Sequence, residues 1–145
     1  MAARHDVGFT HVALVVSDVD RSIAFYERYA GMRVVHRRAT ANGAVVWIGD
    51  LTRPFVIVLA QGPAREPPLG PFAHLGVACA SREELDALVA QAAADGCLRR
   101  PPVDAGPPVG YYAMLSDPDG HTLELSFGQE VGLTVGRARD EADPP

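Results

Sequence analysis

FTHVALVV at residues 9–16 and FAHLGVAC at residues 72–79 are two versions of one pattern, with His11 and His74 standing 63 positions apart. Each reads as a strand with a histidine near its start, followed by a polar break and an amphipathic helix, so the chain carries an internal repeat. The first helix begins near Asp18 or Asp20, either of which can cap it. It carries Ile23, Tyr26 and Ala30 and stops at Gly31, the residue best suited to a left-handed cap. The second opens on Ser81-Arg82-Glu83-Glu84, a capping box in which Ser81 and Glu84 satisfy each other's amides. Its stripe of Leu85, Leu88, Val89 and Ala92 ends at Gly96.

Three short strand candidates follow each helix. In the first half they are residues 33–38, 44–48 and 55–60, with Asn42-Gly43 as a hairpin turn signal. In the second they are a weak segment at 98–100, then 111–116, then 121–127, with Asp117-Pro118-Asp119-Gly120 turning the chain between the last two. Each half is therefore β-α-β-β-β. Module one spans about residues 7–61, a Pro- and Gly-rich linker 62–71, and module two about 72–127. The two modules are expected to make one domain over 1–128, with 129–145 as a loosely ordered C-terminal tail. About 60 residues bury little surface alone, so the modules must pack together or exchange with a partner chain.

Composition narrows the function classes. A chain of 145 residues that is 48% apolar is too hydrophobic for disorder and of a length that suits one domain. The longest apolar run, residues 55–60, falls far short of the ~18 residues of a membrane span. Residues 1–8, MAARHDVG, lack the apolar core of a secretory signal, so a cytoplasmic location is expected. Net charge is −5, and Arg37-Arg38 and Arg99-Arg100 are isolated basic pairs, which argues against nucleic acid and anionic membranes as partners. Cys79 and Cys97 form no C-x-x-C and read as reduced structural thiols.

The stretch HVALVVSDVDRSIAFYERYAG at 11–31, with DPDGHTLEL at 117–125, resembles the vicinal oxygen chelate superfamily. That group includes glyoxalase I, extradiol dioxygenases, methylmalonyl-CoA epimerase, fosfomycin-resistance enzymes and bleomycin-binding proteins. The resemblance covers about residues 7–127. It implies an α+β fold: paired βαβββ modules forming a curved, mixed-sheet cup with helices on the outer face. It also implies metal ligands on the first and last strand of each module, which here are His11, His74 and Glu124.

Strand alternation checks this assignment independently. Leu123 and Leu125 belong to the helix-covered side, which leaves Thr122, Glu124 and Ser126 on the other. Leu75 and Val77 likewise leave Gly76 and Ala78, both small, on the face of His74, and Val12 and Leu14 lie opposite His11. A lone histidine near a strand start is ordinarily a surface or core residue. Two at the same phase of a repeat, with a glutamate in register, point to a site. Overlaying the modules puts Val58 where module two has Glu124, so a fourth ligand is missing.

A two-histidine, one-carboxylate set suits Fe(II) or Mn(II) and leaves positions open for substrate and O₂. Zn(II) and Ni(II) are the alternatives. The expectation is a dioxygenase-like metalloenzyme acting on a small molecule that chelates the metal through adjacent oxygens. A glyoxalase-type isomerase or lyase, or a fosfomycin-type thiol transferase, is a second reading. The first of these is weakened by Val58, where such members carry Glu or Gln; the other needs a basic constellation that the strands do not display. A metal-free protein that sequesters an antibiotic or natural product is a third, for which Trp47, Tyr111, Tyr112 and Phe127 would suit a stacking pocket. One of Tyr111 and Tyr112 should point into the cup, where it or His121 could carry a proton. His5 and His36 read as surface residues. A homodimer is expected, with the metal site either within one chain or shared between two.

Overall fold

The computed structural model describes residues 11–63 and 72–142. The linker positions 64–71 and the residues before His11, His5 among them, lie outside the described part. The elements run β1 (His11–Val16), α1 (Val19–Ala30), β2 (Arg33–Thr40), β3 (Gly43–Gly49), β4 (Val56–Gln61), β5 (His74–Ala78), α2 (Arg82–Ala94), β6 (Leu98–Asp104), β7 (Tyr111–Ser116), β8 (Thr122–Phe127) and α3 (Val131–Ala142). The chain is α+β, and both repeats have the expected β-α-β-β-β order. It divides into two compact units, Met1–Pro71 with Asp117–His121, and Phe72–Ser116 with Thr122–Pro145.

The first unit holds a four-stranded sheet in the order β1-β4-β3-β2, with β1 parallel to β4 and the other pairs antiparallel. The second repeats that pattern as β5-β8-β7-β6. Period-two alternation decides which face each helix covers. In the first unit Leu14, Val16, Val46, Ile48, Ile57 and Leu59 are buried, beneath an α1 that buries Val19, Phe25, Tyr26 and Tyr29. In the second, Ala113, Leu115, Leu123 and Leu125 are fully buried with Leu85 and Ala92 of α2. Each large aliphatic side chain so placed stabilises the fold by about 1.5–3 kcal/mol.

The helix boundaries follow local chemistry. Asp18 caps α1, its Oδ1 accepting from the Asp20 and Arg21 amides at 3.0 and 3.2 Å, and Gly31 closes the helix at φ 60°. Asp18→Ala should therefore cost about 1 kcal/mol in chemical denaturation. Ser81 Oγ accepts from the Glu84 amide at 3.0 Å, but the return bond differs from the expected box: the Glu84 carboxylate takes the Ala80 amide at 2.6 Å. Both acceptors still satisfy donors at the start of α2.

Three further segments differ from expectation. The β2–β3 hairpin turns at Ala41-Asn42, and Gly43 already pairs with Thr40, at φ 126°, as the first residue of β3. β6 extends to Asp104 through Pro101-Pro102, which an edge strand with irregular register tolerates. Residues 131–142, expected within a loose tail, wind into α3, whose described side chains are nearly all exposed.

The turn 117–121 is fastened to the first unit. Asp117 Oδ1 accepts the Asp119 and His121 amides at 2.9 and 2.8 Å, while Oδ2 accepts the buried Tyr26 hydroxyl at 2.9 Å. Asp119 Oδ1 takes the Ser17 amide at 2.9 Å, and His121 Nε2 lies 3.1 Å from the Val15 carbonyl. Among the described residues no helix is long and apolar enough to cross a membrane. Cys79 and Cys97 are free thiols, and burial pushes the Cys79 thiol up to about 11, so it is a poor nucleophile at neutral pH.

Candidate metal centre

Strand register fixes what alternation suggested. In the second unit His74 pairs with Thr122 and Gly76 with Glu124; in the first, His11 pairs with Val56 and Ala13 with Val58. Val58 thus stands to His11 as Glu124 stands to His74, and an aliphatic side chain occupies the equivalent position.

Within the second unit, His74 Nε2 lies 3.4 Å from Glu124 Oε2. The other ring nitrogen, Nδ1, is 2.8 Å from the Phe72 carbonyl, and a carbonyl only accepts, so Nδ1 carries a hydrogen. A neutral His74 then presents its Nε2 lone pair to a carboxylate oxygen. Two electron-rich atoms at that distance need a cation between them, either a proton on Nε2 or a metal ion. The spacing also suits two neighbouring ligands of one ion, whose bonds are each about 2.0–2.2 Å. The Phe72 carbonyl is the kind of hydrogen-bond partner that sets the tautomer of a metal-binding histidine.

The surroundings favour such a use. Glu124 is buried, and its second oxygen accepts from Gln129 Nε2 at 3.3 Å. A Cβ placed on Gly76 would lie 4.0 Å from that oxygen, an ordinary van der Waals contact, so a small residue here sits beside the carboxylate without crowding it. His11 opens β1 on the exposed face of the first unit's sheet, opposite the helix. Among the described residues no three His, Cys, Asp or Glu side chains are gathered so as to hold a metal ion.

The residues expected to move protons fare unequally. Tyr112 pairs with Ser126, two positions from Glu124, and so shares the glutamate's face; the Arg100 guanidinium lies 5.6 Å from its ring centre. Tyr111 faces the other way, where its hydroxyl bonds Asp86 of α2 and Arg82 stacks on its ring at 3.8 Å. Phe127 pairs with Tyr111 and shares that outward face. His121 belongs to the first unit, holding Val15.

Three contributions escaped sequence reasoning. Arg99 of β6 binds Thr122 Oγ1 and Ser116 Oγ, putting a cation against residues on the Glu124 face where no basic constellation was visible. Gln129 lies beyond the last expected strand. His36 pairs with Trp47 across β2 and β3, with ring centres 4.9 Å apart. Both line a cleft of about 660 Å³ in the first unit, together with His11, Arg53, Phe55 and Val58. Pairing between strands is nonlocal, and only the assembled sheet reveals it.

Residues 8–125 match the Glyoxalase family, described as the glyoxalase/bleomycin resistance protein/dioxygenase superfamily. The chain belongs to this superfamily. It is 42% identical over 126 residues to an uncharacterised protein of Pseudomonas aeruginosa, covering 85% of this chain and 90% of that one. It is 32% identical to a lactoylglutathione lyase of Arabidopsis thaliana over 81% of this chain, which spans only 43% of that relative's length. In fold it resembles the fosfomycin resistance protein FosX of Listeria monocytogenes, a mutant of which was crystallised with Mn(II) and a dihydroxypropylphosphonic acid. The TM-score is 0.69 at 17% identity, with 92% of this chain and 99% of that chain covered.

Proposed function

We propose that this superfamily member is a divalent-metal enzyme of dioxygenase type, acting on a small molecule that chelates the ion through adjacent oxygens. His11, His74 and Glu124 are its ligands. The observation that carries this reading is His74 Nε2 lying 3.4 Å from the buried Glu124 carboxylate, with Nδ1 2.8 Å from the Phe72 carbonyl. When bound, Fe(II) or Mn(II) supplies Lewis acidity and open positions for two substrate oxygens and O₂.

The chain's own groups do the rest. Phe72 fixes the His74 ring, Gln129 orients Glu124, and Tyr112 offers a hydroxyl on the same face to give or take a substrate proton. Tyr111 and His121 act as positioning residues through Asp86 and Val15. Val58 favours a three-ligand set over an isomerase that needs a fourth, proton-moving carboxylate.

The working form is a homodimer in the cytoplasm, with His11 supplied to each site by a second copy. Mixing His11→Ala and Glu124→Ala chains tests it. Shared sites regain one intact ligand set per mixed dimer, with metal binding and activity returning; sites built within one chain regain neither.

A second reading is favoured by Arg99, a cation suited to an anionic substrate group on the Glu124 face. It is a non-redox isomerase, lyase or thiol transferase using Mn(II), Zn(II) or Ni(II). Oxygen uptake by Fe(II)-loaded protein with a panel of catechols divides the two. Uptake is expected for the dioxygenase; none across the panel, with turnover of electrophilic substrates under Mn(II), establishes the second.

A further inference from the structure

The open face of the first unit's sheet is chemically unlike a solvated surface. Trp47, on the inner strand β3, keeps 42% of its surface exposed, with the His36 ring tilted against it. Phe55, Val56, Val58 and His11 extend an apolar and aromatic floor across the neighbouring strands. The resulting cleft, about 660 Å³, lies within the ~300–1,000 Å³ range of pockets that enclose small organic molecules.

Its charge is one-sided. No carboxylate lines it among the described residues, while Arg53 does. The carboxylate of nearby Asp50, outside the lining, is engaged by the Thr52 amide and hydroxyl at 2.9 and 2.6 Å and feels the Arg53 charge without a hydrogen bond to it. Arg53 donates through Nε to Thr52 Oγ1 at 3.3 Å and makes no other hydrogen bond to a described residue, which leaves its terminal nitrogens for a ligand. Leu51, at φ 64°, holds the same loop in a conformation that a leucine rarely adopts.

We propose that this cleft binds a planar aromatic anion, its ring against Trp47 and His36 and its carboxylate or similar oxyanion on the Arg53 guanidinium. The assignment names the substrate class of the site proposed above and rests on that reading for the reaction, since His11 lines the same cleft. Binding itself needs no metal, so the two proposals fail separately. Stacking on an indole face selects flat π-systems, and a guanidinium fork selects planar oxyanions.

Trp47 is the sole tryptophan, so the ¹⁵N-labelled, EDTA-treated protein shows one indole cross-peak, and that peak reports the cleft. Titration with 2-naphthoate is expected to shift it saturably. The neutral 2-naphthamide and the non-aromatic cyclohexanecarboxylate should each bind about tenfold more weakly or worse, the loss of one charged contact or of the stacking. Arg53→Gln should weaken 2-naphthoate by a similar factor and leave 2-naphthamide unchanged. Trp47→Leu, with its remaining spectrum dispersed as in the wild type, should abolish the heat of 2-naphthoate binding. No saturable shift, equal binding of all three compounds, or an Arg53→Gln variant with wild-type affinity would each overturn the proposal.

Discussion

Glu124→Ala should leave the chain folded and unable to retain a divalent ion. Removing a hydrogen-bond partner of a metal ligand lowers affinity about 10–100-fold, and deleting the only carboxylate of a three-ligand set should exceed that. Turnover should fall at least in proportion. The metal-free fold, by contrast, should change by no more than about 1 kcal/mol, because the desolvation cost of burying the Glu124 carboxylate offsets most of its attraction to the partly exposed His74. Isothermal titration with Mn(II) and denaturation in EDTA measure the two effects separately. Unchanged Mn(II) affinity would remove Glu124 from the site. A large loss of metal-free stability would make its role structural, with Glu124→Gln as the check that the cavity left by alanine is not responsible.

The second large effect lies at Tyr26. Its hydroxyl is fully buried and donates to Asp117 Oδ2 at 2.9 Å, and its ring meets Phe25 edge-on at 5.1 Å. Tyr26→Phe leaves the carboxylate without that donor and should cost about 2 kcal/mol. Tyr26→Ala also empties part of the core and should cost about 3–5 kcal/mol. Burial pushes the Asp117 carboxyl above its ordinary value of 3.8, against the opposing pull of His121, the Tyr26 hydroxyl and two backbone amides. An acid raised in the folded state holds its proton more tightly there than in the unfolded chain. Its contribution to stability is therefore full below 3.8 and lost as pH rises through the folded value. Asp117→Asn should flatten that slope, so the difference between wild type and variant moves in the variant's favour with rising pH. A difference that is constant, or that grows in favour of the wild type, would contradict the assignment.

Much of this architecture was legible because period-two alternation and the chain repeat are local signals. They placed Glu124 opposite Leu123 and Leu125, brought Val58 into register with it, located the caps at Ser81 and Gly31, and narrowed the first N-cap to Asp18 or Asp20, of which the structure uses Asp18. Where sequence reading fell short, tertiary context decided. Pro101-Pro102 argues against a strand until an edge position removes the need for their missing amides. The hairpin moved its turn one residue back because Gly43, rather than Asn42, takes the positive φ. His36 is exposed, as its sequence reading expects, but the indole beside it comes from the next strand, and Arg99 looked isolated because its hydroxyl partners lie on β7 and β8. The side chain of Tyr112 could be told from that of Tyr111 only once Asp86 of α2 was seen to hold the latter.

The proposed function requires that His11, His74 and Glu124 bind an ion. Equilibrium dialysis of EDTA-stripped protein against Mn(II), with the bound metal counted by mass spectrometry, tests this most directly. One ion per chain is predicted for the wild type, with none retained by His11→Ala, His74→Ala or Glu124→Ala at the same free metal. A wild type that binds no more metal than the three variants would contradict the account.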